Sequence, residues 1–141
     1  MRKASIYIAW LLPIAYMILI WVLSSMPSNA VVELPDSQWD RIWKEGMHLV
    51  EFAALYILFV IALATSGKLS LRSSLIVALI SAAYGVIDEI HQSFYPYRSA
   101  TLIDVAKDWI GVLAVWGHVR FHYFYRKKSV LNKIQKKASN K

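Results

Sequence analysis

Four long apolar stretches, parted by short polar ones, set the plan of this chain. Ser5–Leu23, Gly46–Ser66, Ser73–Phe94 and roughly Thr101–Tyr125 each offer the length of about 20 mostly apolar residues that a helix needs to cross a bilayer. Arg2 and Lys3 precede the first stretch, as they would a signal peptide. Its apolar run is too long for one, and no small-residue cleavage site follows, so an uncleaved anchor is expected. Pro13 is expected to kink this helix without ending it, because apolar residues continue on both sides. The third stretch qualifies only if it tolerates Asp88 and Glu89. Each acid costs about 2.5–3.5 kcal/mol at a helix centre, while each Leu, Ile or Val returns about 0.3–0.6 kcal/mol. The pattern predicts an all-α integral membrane four-helix bundle over residues 1–126, followed by a basic cytoplasmic tail over 127–141.

Composition agrees with a lipid solvent. Of the 141 residues 57% are apolar and 18% charged, and six Trp and eight Tyr exceed what a small soluble core needs. The absence of cysteine excludes disulfides and thiolate-bound metal. The net charge of +7 could suggest nucleic acid, but its distribution does not. Twelve basic residues (Arg2, Lys3, Lys68, Arg72, Arg120 and those of the tail "RKKSVLNKIQKKASNK") fall on one side of the four-span plan. Four, namely Arg41, Lys44, Arg98 and Lys107, fall on the other with all nine acids. That bias predicts both termini in the cytoplasm, N-in and C-in. The tail then reads as retention by the anionic inner leaflet, not as a nucleic-acid contact.

The acids follow helical spacing. Lys44, His48 and Glu51 form one stripe in "WKEGMHLVEFAALYIL". Asp88, His91 and Gln92 form another with Glu89 on its flank, and Asp104, Lys107, Asp108 and Gly111 form a third. In–out alternation brings the start of the second span, the end of the third and the start of the fourth to one membrane surface. The stripes are therefore expected to line one shared, outward-opening pocket, since ionisable residues within spans are functional by default. Structural roles compete with this reading. Acids in first turns complement the helix dipole, Thr101 with Asp104 resembles a capping pair, and Lys107 and Asp108 could balance one another. His118 and His122, at i,i+4, could share a metal, but beside Arg120 at the interface a structural role is preferred.

In order, "SSMP", "KEGMHLVEF", "YGVIDEIHQSFYPYRSAT" and "DVAKDWIG" resemble the VanZ-like family of small bacterial membrane proteins, whose founding members are linked to teicoplanin resistance. The resemblance covers nearly all of the chain except the tail. Asp108 stands where the family often has Asn, which adds an acid to the pocket, and "YPYR" replaces a common Pro-Gly-Arg turn. The family implies a multi-pass protein of the bacterial cytoplasmic (inner) membrane and, for some members, reduced susceptibility to lipoglycopeptides. It implies no settled reaction.

The chemistry is therefore read from the residues. Binding or an undefined role at an envelope lipid, a lipid-linked cell-wall precursor or a glycopeptide is placed first. Close behind is an enzyme in which His48 or His91 is the general base, oriented by Glu51 or Asp88, with Glu89 in the same pocket. Lys44, Gln92, Arg98, Asp104 and Asp108 would bind substrate, Arg98 by pairing with a phosphate or carboxylate head group. A metal variant would recruit His48, Glu51, Asp88 and His91 for zinc, manganese or iron, although acid–histidine stripes also pair without one. Proton-coupled transport is third, because no acid continues the path through the inner half of any span.

Overall fold

The computed structural model describes residues 2–27, 37–98, 100–126 and 129–139, with backbone alone at helical positions 2, 37, 40, 41, 43–45 and 139. Every regular element among these is helical. They are α1 (Arg2–Ser24), α2 (Ser37–Thr65), α3 (Leu71–Gln92), α4 (Leu102–Val119) and α5 (Val130–Ser139), and α4 runs on into a π-helical segment over Arg120–Tyr125. Three of them are long and apolar enough to cross a membrane by length and composition, within Lys3–Ser24, Gly46–Thr65 and Leu71–Gln92. The fourth expected span is different. Helix α4 has 18 residues and carries Asp104, Lys107 and Asp108, so it reaches span length only with the π-helical continuation.

Local signals explain the boundaries. Ser70 opens α3 through a capping box: its hydroxyl accepts the Ser73 amide at 3.1 Å, while Ser73 Oγ accepts the Ser70 amide at 2.8 Å. Thr101 caps α4 in the same sense, accepting the Asp104 amide at 3.2 Å. Helix α1 continues through Pro13, which is fully buried. Helix α2 begins at Ser37, well before the apolar run at Gly46, and closes in a Gly67 turn at φ +70°. There the Lys68 amide reaches back to the Leu63 carbonyl, so the left-handed position falls to glycine.

Helix α2 is the centre. It touches α1, α3, α4 and α5, and buries Phe52, Leu55, Tyr56 and Val60 almost completely. Trp10 near the start of α1 donates to Ser66 at the end of α2, and Ser24 at the end of α1 meets Asp88 near the end of α3. Helices α1 and α3 therefore run one way, against α2. The outer faces are greasy: Leu11 is 60% exposed, Leu79 61% and Ile110 58%. So wide an apolar surface suits hydrocarbon, not water.

The basic segment expected as a tail over 127–141 contains the helix α5. Leu131, Ile134 and Ala138 lie on one helical stripe against the bundle, with Lys133, Lys136 and Lys137 exposed. Asn132 donates to the Tyr123 carbonyl at 3.3 Å and Gln135 to the Leu69 carbonyl at 3.1 Å, tying α5 to the end of the bundle away from the acids.

Candidate functional site

Two glycines let the acid-bearing ends meet. A Cβ at position 111 would overlap the Leu49 carbonyl oxygen and stand 2.9 Å from its carbon, so α4 can lie this close to α2 only with glycine there. A Cβ at 85 would come within 3.0 Å of Asp108 Oδ2 and 3.2 Å of Asp108 Cβ. Gly85 on α3 is thus the floor over which the Asp108 carboxylate sits, fully buried.

Around that carboxylate α2, α3 and α4 bring together His48, Glu89, Asp104 and Asp108. His48 Nδ1 lies 3.4 Å from Asp108 Oδ1 and 4.0 Å from Glu89 Oε1, close enough for charge attraction but not aligned as hydrogen bonds. His48 Nδ1, Glu89 Oε1 and both Asp108 oxygens are buried without a hydrogen-bond partner among the described residues. Leaving one such atom unsatisfied costs about 1–3 kcal/mol, so four beside one another mark a place prepared for something else. Their neighbours are held. Glu89 Oε2 accepts the Thr101 amide at 3.1 Å, and Asp104 accepts from Thr101 Oγ1 at 2.6 Å and from Lys107 Nζ at 3.0 Å. His48, Glu89 and Asp104 can each present one donor atom such that all three lie within 4.8 Å of one another.

The other expected site residues form a second group towards α1. Asp88, 1% exposed, accepts from Ser24 Oγ at 2.5 Å and from Gln92 Nε2 at 2.6 Å. The His91 ring stacks on Trp21 with centroids 3.7 Å apart and meets the edge of Tyr95 at 5.1 Å. Arg98 donates from Nε to the Met26 carbonyl at 2.7 Å and from Nη2 to the Leu23 carbonyl at 2.5 Å, and Tyr97 donates to Ser25 O at 2.7 Å. The guanidinium expected to await an anionic head group is therefore occupied with the last carbonyls of α1. Glu51 stands between the groups, within electrostatic reach of Asp88, His48, Asp108 and Arg98. The Lys44 side chain lies outside the described residues.

The structural alternatives also find their places. Thr101 and Asp104 do form the capping pair, and Lys107 does pair with an acid, Asp104. The rings of His118 and His122 lie with centroids 4.3 Å apart and their planes tilted by 33°, at the far end of the bundle. Sequence reasoning passed over Ser24, Gly85 and Trp21. Ser24 carried a signal, as a polar residue closing an apolar run, whereas Gly85 becomes legible only once Asp108 is seen above it.

A half-buried imidazole facing one fully buried carboxylate and one nearly so can accept, hold and return a proton, or share an ion with them. No curated protein and no solved structure matches the chain. The family model described as VanZ/LLP1 matches residues 9–123, a stretch that includes every residue of both groups. The chain belongs to the VanZ/LLP1 family.

Proposed function

We propose that this protein crosses the bacterial cytoplasmic membrane four times, with both termini inside and the acid–histidine site facing the outer leaflet. There it binds the polar head group of an envelope lipid or lipid-linked precursor and hydrolyses it. His48 takes a proton from water, the water oxygen attacks the head group's ester or phosphoester centre, and the leaving oxygen departs with that proton. The observation that carries this reading is the set of buried atoms on His48, Glu89 and Asp108 that have no hydrogen-bond partner among the described residues. His48 is the accessible member, its side chain 21% exposed while that of Asp108 is wholly buried, which suits a base whose ring the carboxylate orients. Among the described side chains carboxylates outnumber cations here, and Arg98 is engaged. The site therefore favours a head group rich in hydroxyl or ammonium donors over a bare phosphate. Any reduced susceptibility to glycopeptides would follow from the altered lipid.

Orientation rests on charge. Lys68, Arg72, Arg120, Arg126 and the α5 lysines occupy the end away from the acids, and Leu102–Tyr125 spans about 36 Å at 1.5 Å per residue, enough for a fourth crossing. Single cysteines are informative because the chain has none of its own. Phe94→Cys should react with an impermeant maleimide on intact spheroplasts, and Lys137→Cys only after lysis. Labelling of both from outside would overturn the orientation.

For the activity, cells expressing the protein or His48→Gln at equal membrane abundance would have their lipids compared by mass spectrometry. The parent should alter at least one envelope lipid, and His48→Gln should lower that conversion by about a hundredfold or more. Unchanged lipids with lipid still retained by the purified protein would remove the proton-transfer step and leave binding. Unchanged lipids and no retained lipid would overturn the reading as a whole.

A further inference from the structure

We infer that His48, Glu89 and Asp104 bind one divalent metal ion, with Asp108 as the acceptor for water in its remaining positions. The inference concerns the ion alone, and it competes with the role of His48 as a base: an imidazole with one nitrogen on an ion and a proton on the other accepts no further proton. It differs from the set suggested by helical spacing. Of that set only His48 joins, because Asp88 is satisfied by Ser24 and Gln92, and His91 stacks on Trp21.

Geometry supplies the first reason. Two donors about 2.1 Å from a shared ion stand from about 3 Å apart, when at right angles, to about 4.2 Å, when opposite. His48 Nδ1 and Glu89 Oε1 are 4.0 Å apart, and the three donors of the trio lie within 4.8 Å of one another. Closing them on an ion takes shifts of about half an ångström, within the reach of side-chain rotation. Such spacing is too long for hydrogen bonds and suited to an ion between the donors.

The second reason is independent of clustering. Among the described residues Asp108 is fully buried with no hydrogen-bond partner on either oxygen, and Glu89, 5% exposed, directs an Oε1 without a hydrogen bond towards His48. Buried carboxylates need a compensating charge. Among the described side chains Lys107 engages Asp104 and Arg98 engages the Leu23 and Met26 carbonyls, so a cation between His48 and Glu89 would satisfy the remaining atoms together. The surroundings also look prepared for ligands. Glu89 is fixed through its other oxygen by the Thr101 amide, and Asp104 is held by Thr101 and Lys107. Outer contacts of this kind orient ligands before the ion arrives. One imidazole with carboxylate oxygens suits manganese, iron(II) or zinc over softer ions.

The test uses the full-length protein in lipid nanodiscs, stripped with a chelator and titrated with Mn²⁺ alone. About one Mn²⁺ per chain should bind, and electron spin echo spectra should show coupling to an imidazole nitrogen. His48→Gln should abolish that coupling, and both His48→Gln and Glu89→Gln should weaken binding at least about tenfold. Asp88→Asn, outside the trio, should retain the coupling and bind within about threefold of the parent. Circular dichroism confirms that each variant is folded. Absence of Mn²⁺ binding by the folded parent, nitrogen coupling that survives His48→Gln, or an equal loss in Asp88→Asn would overturn the inference.

Discussion

Gly111→Ala should be the most damaging single-methyl change in the protein, costing about 3 kcal/mol or more. The added carbon would overlap the Leu49 carbonyl oxygen and press on its carbon and Cα at 2.9 and 3.2 Å. All are backbone atoms, so no rotamer relieves the contact and α4 must move off α2. In a bilayer helix association relies on close packing and not on exclusion of water, so lost contact is not compensated. The shift would carry Asp104 and Asp108 away from His48. Thermal unfolding followed by the fluorescence of the six tryptophans should show a large drop in midpoint. Gly117→Ala, at a glycine where the added carbon meets no described heavy atom within 4 Å beyond its own chain neighbours and helix backbone, should leave the midpoint nearly unchanged. Equal stability of the parent and Gly111→Ala would show that the helices are not so closely set.

Arg98→Gln should destabilise the fold by about 3 kcal/mol, because two charge-assisted hydrogen bonds to the end of α1 vanish together. Glutamine has neither the charge nor the fork that reaches the Met26 and Leu23 carbonyls at once. Abundance in the membrane, unfolding midpoint and lipid conversion should therefore fall in step. Arg98→Lys, which keeps the charge but can serve only one carbonyl well, should fall between the two. If Arg98→Gln were as abundant and heat-stable as the parent yet inactive, the guanidinium would belong to the site and not to the α1 anchor.

What could be read in advance followed the physics of each signal. Helical spacing placed Lys44, His48 and Glu51, Asp88, His91 and Gln92, and Asp104, Lys107 and Asp108 on stripes at one end, because 3.6-residue periodicity is local. Which stripe members meet is not local. Whether Asp88 faces α1 or α4 depends on helix rotation, and Ser24, 64 positions earlier, accounts for one of its oxygens. Likewise "YPYR" announced a turn, but only the packed α1 terminus shows where Arg98 goes. Apolarity marked the start of the second span at Gly46 without marking the start of its helix at Ser37, since charged residues outside lipid are no obstacle to helix formation. Charge counting had the opposite weakness in the last segment, where the lysines obscured the stripe of Leu131, Ile134 and Ala138.

The Gly67 turn divides the chain so that His48 is encoded before it and Glu89, Asp104 and Asp108 after it. Neither half holds a complete site, and the only covalent link between them lies at the far end of the bundle. During synthesis His48 is laid down two helices ahead of Asp108, so the cluster is incomplete until α4 has found its place beside α2. The site is thus a late product of assembly. Two fragments separated at this turn would each hold part of the cluster and complete it only on reuniting, which makes the division between them a natural point for split-protein complementation.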